Sequence, residues 1–325
     1  MKTFFTFIRI TAIALVLGLF ARPVAGQAFS FANGKYEIGL GIGPSFFLGD
    51  LGGSSGVGRT FIKDVDLPMT KMNKGLYLNI YPAEWLGFRI AGNIGMLEAD
   101  DAQTPDKGGD ERFRLYRNLK FRSTLLEAYG AIEFYPTVFF EKYDGTQGKI
   151  RPYGVIGAGL FHFNPQGEYF NSDGGSQWVD LKPLRLEGQG MAEYPDRKPY
   201  ALTQLMIPMG AGIKYYFREN LYFGFEVMHR KTFTDYIDDV STTYVDPSHF
   251  SNYLSDAQLA QARQLYYREN LVNGAVSRPV INEQRGDPRE NDSYFSGVIR
   301  MGWRINGGDA PDARARKQLK CPVFY

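Results

Sequence analysis

The chain has 325 residues, with 37 Lys and Arg against 35 Asp and Glu, and a formal charge of +2. A balance this close to zero offers no footprint for a nucleic acid. Mean hydropathy is −0.30, and beyond the N-terminal region no apolar run is long enough to cross a membrane as a helix.

At the N-terminus, Lys2 and Arg9 flank a mostly apolar run that ends in ITAIALVLGLF, and the small residues Val24, Ala25 and Gly26 follow. The pattern predicts a secretory signal peptide over 1–26, cut before Gln27. The run is too short for the roughly 20 residues of a spanning helix. No cysteine near the cut could take a lipid. The exported chain would keep a single thiol, Cys321, and an odd cysteine in that setting suggests intermolecular pairing or a reactive group.

From residue 36 the 37 Gly and the 15% aromatic share find their reason. YEIGLGIGPSFF, 36–47, sets Tyr36, Ile38, Leu40, Ile42, Pro44 and Phe46 against Glu37, Gly39, Gly41, Gly43 and Ser45. A period of two is the mark of a strand with one apolar face. The same alternation returns in 75–82, 86–96, 123–136, 205–217, 221–230 and 294–305, while the glycine-rich 151–163 leaves its faces ambiguous. These are eight predicted strands of roughly 8 to 14 residues, close to what a tilted strand needs to cross a bilayer.

A water-soluble sandwich also alternates, and loop lengths separate the two. Connections at 82–85 and 218–220 are tight and 137–149 is moderate, whereas 48–74, 97–120, 164–203 and 231–292 are long. Short and long connections taking turns is how outer-membrane barrels arrange periplasmic turns and extracellular loops. The expected fold is all-β: an eight-stranded antiparallel transmembrane β-barrel over 27–305, seated in outer-membrane lipid, with long extracellular loops and a periplasmic C-terminal tail over 306–325. A soluble sandwich is the alternative.

The inner face carries Glu37, Arg89, Glu127, Glu133, Lys214, Glu226, Arg230, Arg300 and Arg304. Eight strands enclose just enough room for side chains, so these charges are expected to pair across the lumen and plug it. Phe46, Phe47, Tyr81, Trp85, Phe134, Tyr135, Tyr215, Tyr216, Phe217, Tyr222 and Trp303 lie near strand ends, where interfacial girdles sit.

Within 231–292, residues of about 255–273 read as a helix, capped by Ser255 and striped by Leu259, Ala262, Leu265, Tyr266 and Leu271. Such a helix is expected to lie as a lid on the barrel mouth, with a partner surface as the alternative. His229 and Arg230 with Asp235, Asp238 and Asp239 could form an acid–base cluster, but no serine sits in a nucleophile motif. Asp235, Asp238, Asp239 and Asp246 could hold a hard cation, although their spacing fits no EF-hand loop. The expectation is therefore no catalytic residue, no metal, no cofactor and no small-molecule substrate. In the tail, Arg314, Arg316, Lys317 and Lys320 precede Cys321, and Pro322, Val323, Phe324 and Tyr325 follow it. A basic segment with an apolar end suits docking on a partner.

The blocks YEIGLGIGPSFFLGDLGG (36–53), RPYGVIGAGLFHFNPQG (151–167), HRKTFTDYIDDVSTTYVDP (229–247) and the terminal KCPVFY are spread over nearly the whole mature chain. Together they resemble the PorG-type outer-membrane barrels of the Bacteroidetes type IX secretion system. The resemblance implies a small non-enzymatic barrel that anchors a periplasmic ring, built by a PorK-like lipoprotein and a PorN-like subunit, to the outer membrane. In that setting Cys321 would be placed to form a disulfide with a ring component in an oxidising compartment. A general small barrel of the OmpA or OmpX type, acting in adhesion or membrane integrity, is the alternative.

Overall fold

Each alternating segment is a strand in the computed structural model, which describes residues 35–52, 69–104, 111–139, 150–218, 220–268 and 281–305. The expected signal peptide, and the tail with Arg314, Arg316, Lys317, Lys320, Cys321, Pro322, Phe324 and Tyr325, lie outside the described residues. The strands are β1 (Lys35–Leu48), β2 (Lys71–Ala83), β3 (Leu86–Asp100), β4 (Lys120–Phe134), β5 (Ile150–Phe170), β6 (Ser176–Asp180), β7 (Thr203–Arg218), β8 (Leu221–Thr232) and β9 (Ser293–Arg304).

All pairings are antiparallel. Each of the eight long strands pairs its chain neighbour, β5 pairs β7, and β9 returns to β1, so the sheet closes into an up-and-down barrel. Closure removes the unpaired edges that an open sheet would present to lipid. The ninth strand, β6, is not part of the wall. It pairs only with the end of β5, from Gln166 to Phe170, and extends that strand beyond the barrel as a hairpin. Periodicity does not reveal it within the long connection, because five residues are too few to show a period.

Parity along each strand decides what faces out. Leu76, Ile90, Ile94, Leu126, Ile156, Leu205, Phe225 and Ile299 all point away from the lumen, and Leu76 is 67% exposed. Ile38, Leu40, Leu160, Ile213, Phe223, Met301 and Trp303 continue the belt around the other strands. A continuous apolar surface of this extent is not tolerated in water; it is the surface a bilayer solvates. The faces of β5, ambiguous in sequence, resolve with Tyr153, Val155, Phe161 and Phe163 buried and Ile156 and Leu160 exposed.

The expected girdle needs correction. Phe134, Tyr215, Phe217 and Trp303 do face outward, but Phe47, Tyr81, Tyr135, Tyr216 and Tyr222 are buried on the inner side. Nearness to a strand end does not place a side chain in the interface when its parity turns it inward.

Inward glycines make room for those large inner residues. A Cβ on Gly39 would collide with the Tyr77 ring, and one on Gly302 with the Tyr222 ring. Glycine here is a close-packing device, and it explains much of the glycine content of the inner face.

At the long-loop end, 171–202, 233–268 and 281–292 fold over the barrel mouth. Phe163 of the inner wall stacks on Tyr200, and Tyr200 stacks on Tyr236 of the other loop. Helix α1 (Glu111–Arg117) precedes β4, and helix α2 (Asp256–Tyr266) lies in the last loop. Ser255 and Gln258 form a reciprocal capping box at the start of α2, satisfying two amides that would otherwise be orphaned. Ala262, Leu265 and Tyr266 are buried, and a Cβ on Gly167 of β5 would touch Leu265. The helix ends at Tyr266 rather than at about 273. Beyond it the backbone turns extended, and Arg268 N donates to Arg117 O across the loops.

Candidate functional site

The lumen is built from the nine charged residues that alternation places on the inner face. Eight of them are buried, and the Arg304 side chain is 13% exposed. They fall into two groups along the barrel axis.

Toward the short-turn end, Glu37 of β1 takes Lys214 Nζ of β7 at 3.0 Å and Arg304 Nη2 of β9 at 2.9 Å. Glu133 of β4 takes Arg89 Nε at 2.8 Å, Lys214 Nζ at 3.2 Å and Asn79 Nδ2 at 3.0 Å. Arg89 reaches onward to Glu226 of β8 at 2.7 Å, and Arg300 meets the same carboxylate at 2.6 Å. The Lys214–Glu37 and Arg89–Glu226 pairs span the bore between non-adjacent strands, and the pairs between neighbouring strands join them into one network that fills it.

Tyrosines complete it. Tyr81 donates to Glu37 at 2.7 Å and receives Lys214 Nζ at 2.5 Å, Tyr216 donates to Glu37 at 2.7 Å, and Tyr153 donates to Glu226 at 2.6 Å. Tyr135 donates to Glu133, and the Arg300 guanidinium lies 3.6 Å over the Tyr77 ring. Each buried carboxylate thus has several donors, the condition under which a buried charge is tolerated. The tyrosines were absent from the sequence reading of the lumen. Their signal was present: Tyr77 and Tyr81 share the parity of Asn79, opposite the apolar face of β2.

Nearer the long-loop end, Glu127 receives Arg230 Nη2 at 3.3 Å, Asn93 Nδ2 at 2.6 Å and Tyr294 Oη at 2.7 Å. Between the two groups is a cavity of about 20 Å³, lined by Asn73, Tyr77, Asn93, Tyr129, Glu226, Arg230 and Arg300 among others. A polar void of that size suits one ordered water, not a path for solutes. Above it Phe121, Phe161 and Phe163 close the bore, each fully buried.

A second polar cluster knots the long connections together outside the membrane-spanning strands. Arg117, at the end of α1, binds Asp101 through Nε at 2.8 Å and donates from Nη2 to Asp50 O at 2.7 Å and from Nη1 to Arg285 O at 2.5 Å. Glu187 receives Arg285 Nη1 at 2.8 Å and the amides of Ser241 and Thr242. Tyr200 donates to Asp239 at 2.7 Å. Asp238 accepts from Leu51 N at 3.0 Å, tying the last loop to the end of β1. Burial pushes the Asp239 carboxyl up to about 7, against the pull of Arg285, and the Asp50 carboxyl up to about 6, against Arg117.

The acid–base reading of His229 with Asp235, Asp238 and Asp239 gains no geometry. His229 belongs to the outward row of β8, whereas Asp238 and Asp239 are buried in the loop knot. Among the described residues no group of three or more His, Cys, Asp or Glu is placed to hold a metal ion, which leaves the cation reading of the aspartates without a site.

A closed strand barrel, apolar outside, ion-paired through its bore and capped by its own loops, is a small membrane-spanning β-barrel with a filled lumen. A scan against protein-family models finds no match, and a search of curated proteins finds no relative. Among solved structures, the chain is similar to Ail, the attachment invasion locus protein of Yersinia pestis, in complex with the heparin analogue sucrose octasulfate. Identity there is 9%, 84% of this chain and 99% of that chain are covered, and the TM-score is 0.33. A major outer membrane protein from Thermus thermophilus is similar at 13% identity, covering 84% of this chain and 99% of that chain with a TM-score of 0.36. The outer membrane protein OprG from Pseudomonas aeruginosa has 13% identity, 84% and 96% coverage and a TM-score of 0.36.

Proposed function

We propose that the protein is a non-enzymatic structural barrel of the outer membrane, a fixed anchor that carries out its function through what lies outside its bore. The filled lumen carries this reading: a bore crossed by Lys214–Glu37, Arg89–Glu226 and Arg230–Glu127 pairs leaves no conduit for a substrate. In this reading the long loops face the cell exterior and the C-terminal tail faces the periplasm.

The sequence resemblance gives the anchor its particular load: the type IX secretion ring, through a PorK-like lipoprotein and a PorN-like subunit. The tail would supply the joint, with Arg314, Arg316, Lys317 and Lys320 meeting acidic groups, Pro322, Phe324 and Tyr325 packing on an apolar patch, and Cys321 forming a disulfide. The second reading, a general OmpA- or OmpX-type barrel in adhesion or membrane integrity, is favoured by the ordered loop cap. A fold built around Glu187 and Arg285 gives the exterior a defined surface of its own.

A non-reducing gel of alkylated outer membranes distinguishes the two. The anchor reading expects a wild-type band that collapses on reduction, contains a periplasmic lipoprotein by mass spectrometry, and is missing in Cys321→Ser. Monomer alone, with Cys321 fully alkylated, would remove the tether and leave the general barrel.

A further inference from the structure

The loop knot holds more negative charge than its two guanidinium groups can answer. Arg117 pulls on Asp50 and Asp238, and Arg285 is engaged by Glu187 and Asp239. Asp235 and Asp292 are left to be stabilised some other way.

Asp292 sits where the last loop returns to the barrel, and it clasps the point where that loop leaves. Asp292 N donates to Thr234 O at 3.0 Å, and Ile237 N donates to Asp292 Oδ2 at 2.8 Å. Its other oxygen, Oδ1, is buried with no hydrogen-bond partner, and Asp238, Asp235 and Asp50 face the group. The neighbouring Asp238 is arranged differently. Both its oxygens accept backbone amides, from Leu51 and Val240 at 3.0 Å each, although burial and Asp50 hold this carboxyl too above the ordinary range. An ionised Oδ1 on Asp292, buried without a donor and among acidic neighbours, would be strongly disfavoured. No three groups converge to seat a metal among the described residues. The remaining small cation is a proton.

We infer that Asp292 is a proton-held latch: with Oδ1 protonated it holds the start of the last loop, at Thr234 and Ile237, against its return at Asp292, and losing the proton releases that joint. Burial first, and then the negative charge of Asp238, hold the Asp292 carboxyl well above the ordinary carboxylate range. Burial likewise raises Asp235 to about 9, partly offset by Ser241, and Asp50 to about 6. The folded cap therefore keeps protons that an open loop releases near pH 4, as ordinary carboxylates do (about 3.9). Stability from the latch is complete below that value and falls as pH rises through the folded values. Opening therefore sets in above the ordinary carboxylate range, as pH rises through the raised Asp292 value, and the Asp50 and Asp235 carboxyls, at about 6 and about 9, lose their protons in the same direction.

Pulsed electron resonance on the full chain in lipid nanodiscs tests this, with spin labels at Ser251 in the cap and Thr124 on the outward row of β4, in a Cys321→Ser background. The expected distance distribution is single and narrow at about pH 5 and broadens about twofold or more at about pH 9. Asp292→Asn, uncharged at both, is expected to broaden clearly less than its parent at about pH 9, with Asp50 and Asp235 still left to titrate in the knot. A distribution that ignores pH, or an Asp292→Asn protein that broadens like its parent, would overturn the latch. Narrowing at high pH on adding calcium chloride would overturn the assignment to a proton. If Asp292→Asn does not fold to the heat-modifiable form, Asp235→Asn serves instead: Asp235 becomes charged only as pH approaches about 9, so removing that charge should lessen the broadening there, and unchanged broadening counts against the proposal.

Discussion

Glu133→Gln is expected to destabilise the barrel by about 3–5 kcal/mol, the usual cost of removing one partner from a buried ionic network. The substitution preserves shape and removes charge at the point where Arg89, Lys214, Asn79, Tyr81 and Tyr135 all converge. Of the nine lumen charges, five are cations and four are carboxylates; the variant leaves five against three in a bore where eight of the nine are buried. Lys214 keeps Glu37 and Arg89 keeps Glu226, which is why the loss is partial and the barrel should still form. Urea unfolding in lipid, followed by heat-modifiable gel mobility, reads the effect as a lowered midpoint. Adding Lys214→Met, which returns the excess to one positive charge, is expected to recover part of the loss, so the cycle should show a coupling of about 0.5–3 kcal/mol. Strict additivity of the two changes would mean that the pair at 3.2 Å contributes nothing.

Arg117→Met should act on the cap and leave the barrel alone. Arg117 is the point where three connections meet: Asp101 beside β3, Asp50 beyond β1 and the Arg285 carbonyl in the last loop. Methionine fills a similar volume and supplies none of those bonds, and Asp101, fully buried, loses its counter-charge. Breaking a buried pair at about 3–5 kcal/mol, felt as local opening and not as global unfolding, corresponds to amide exchange faster by about a hundredfold or more at Gly52 and Leu119, whose amides bond Asp101. The wall amides of β3 and β4 should exchange as before. Equal acceleration in wall and cap would show that the cap is not a separate unit.

What could be read from the sequence follows from what a period can carry. Eight strands and the direction of Ile38, Leu78, Ile90 or Ile299 follow from strict alternation, because one-sided exposure to lipid imposes it on every strand. The lumen charges are legible for the same reason: Glu37, Arg89 and Arg300 each occupy the row opposite the apolar one. Tyr81, Tyr135 and Tyr216 show how position misleads, since nearness to a strand end suggests the interface while their parity turns them inward. The loop knot leaves no periodic trace. Leu51 and Asp238, which bond directly, are 187 positions apart, and the Glu187–Arg285 pair spans 98. Nothing local in either partner announces the other, and only the fold brings them together. Helix α2 shows the middle case: its capping box at Ser255 and Gln258 is local and legible, whereas beyond its end at Tyr266 the Arg268 amide bonds the distant Arg117 carbonyl, a contact with no local sign.

The central claim is that the bore is sealed by its own side chains. Planar-bilayer recording of the purified full-length protein tests it most directly. The account predicts a flat trace with no stepwise current at any applied voltage, with Glu133→Gln the variant expected to leak first. Regular conductance steps from the wild-type protein would contradict it, since no ion could pass while Lys214, Glu133, Arg89 and Glu226 hold their positions across the bore.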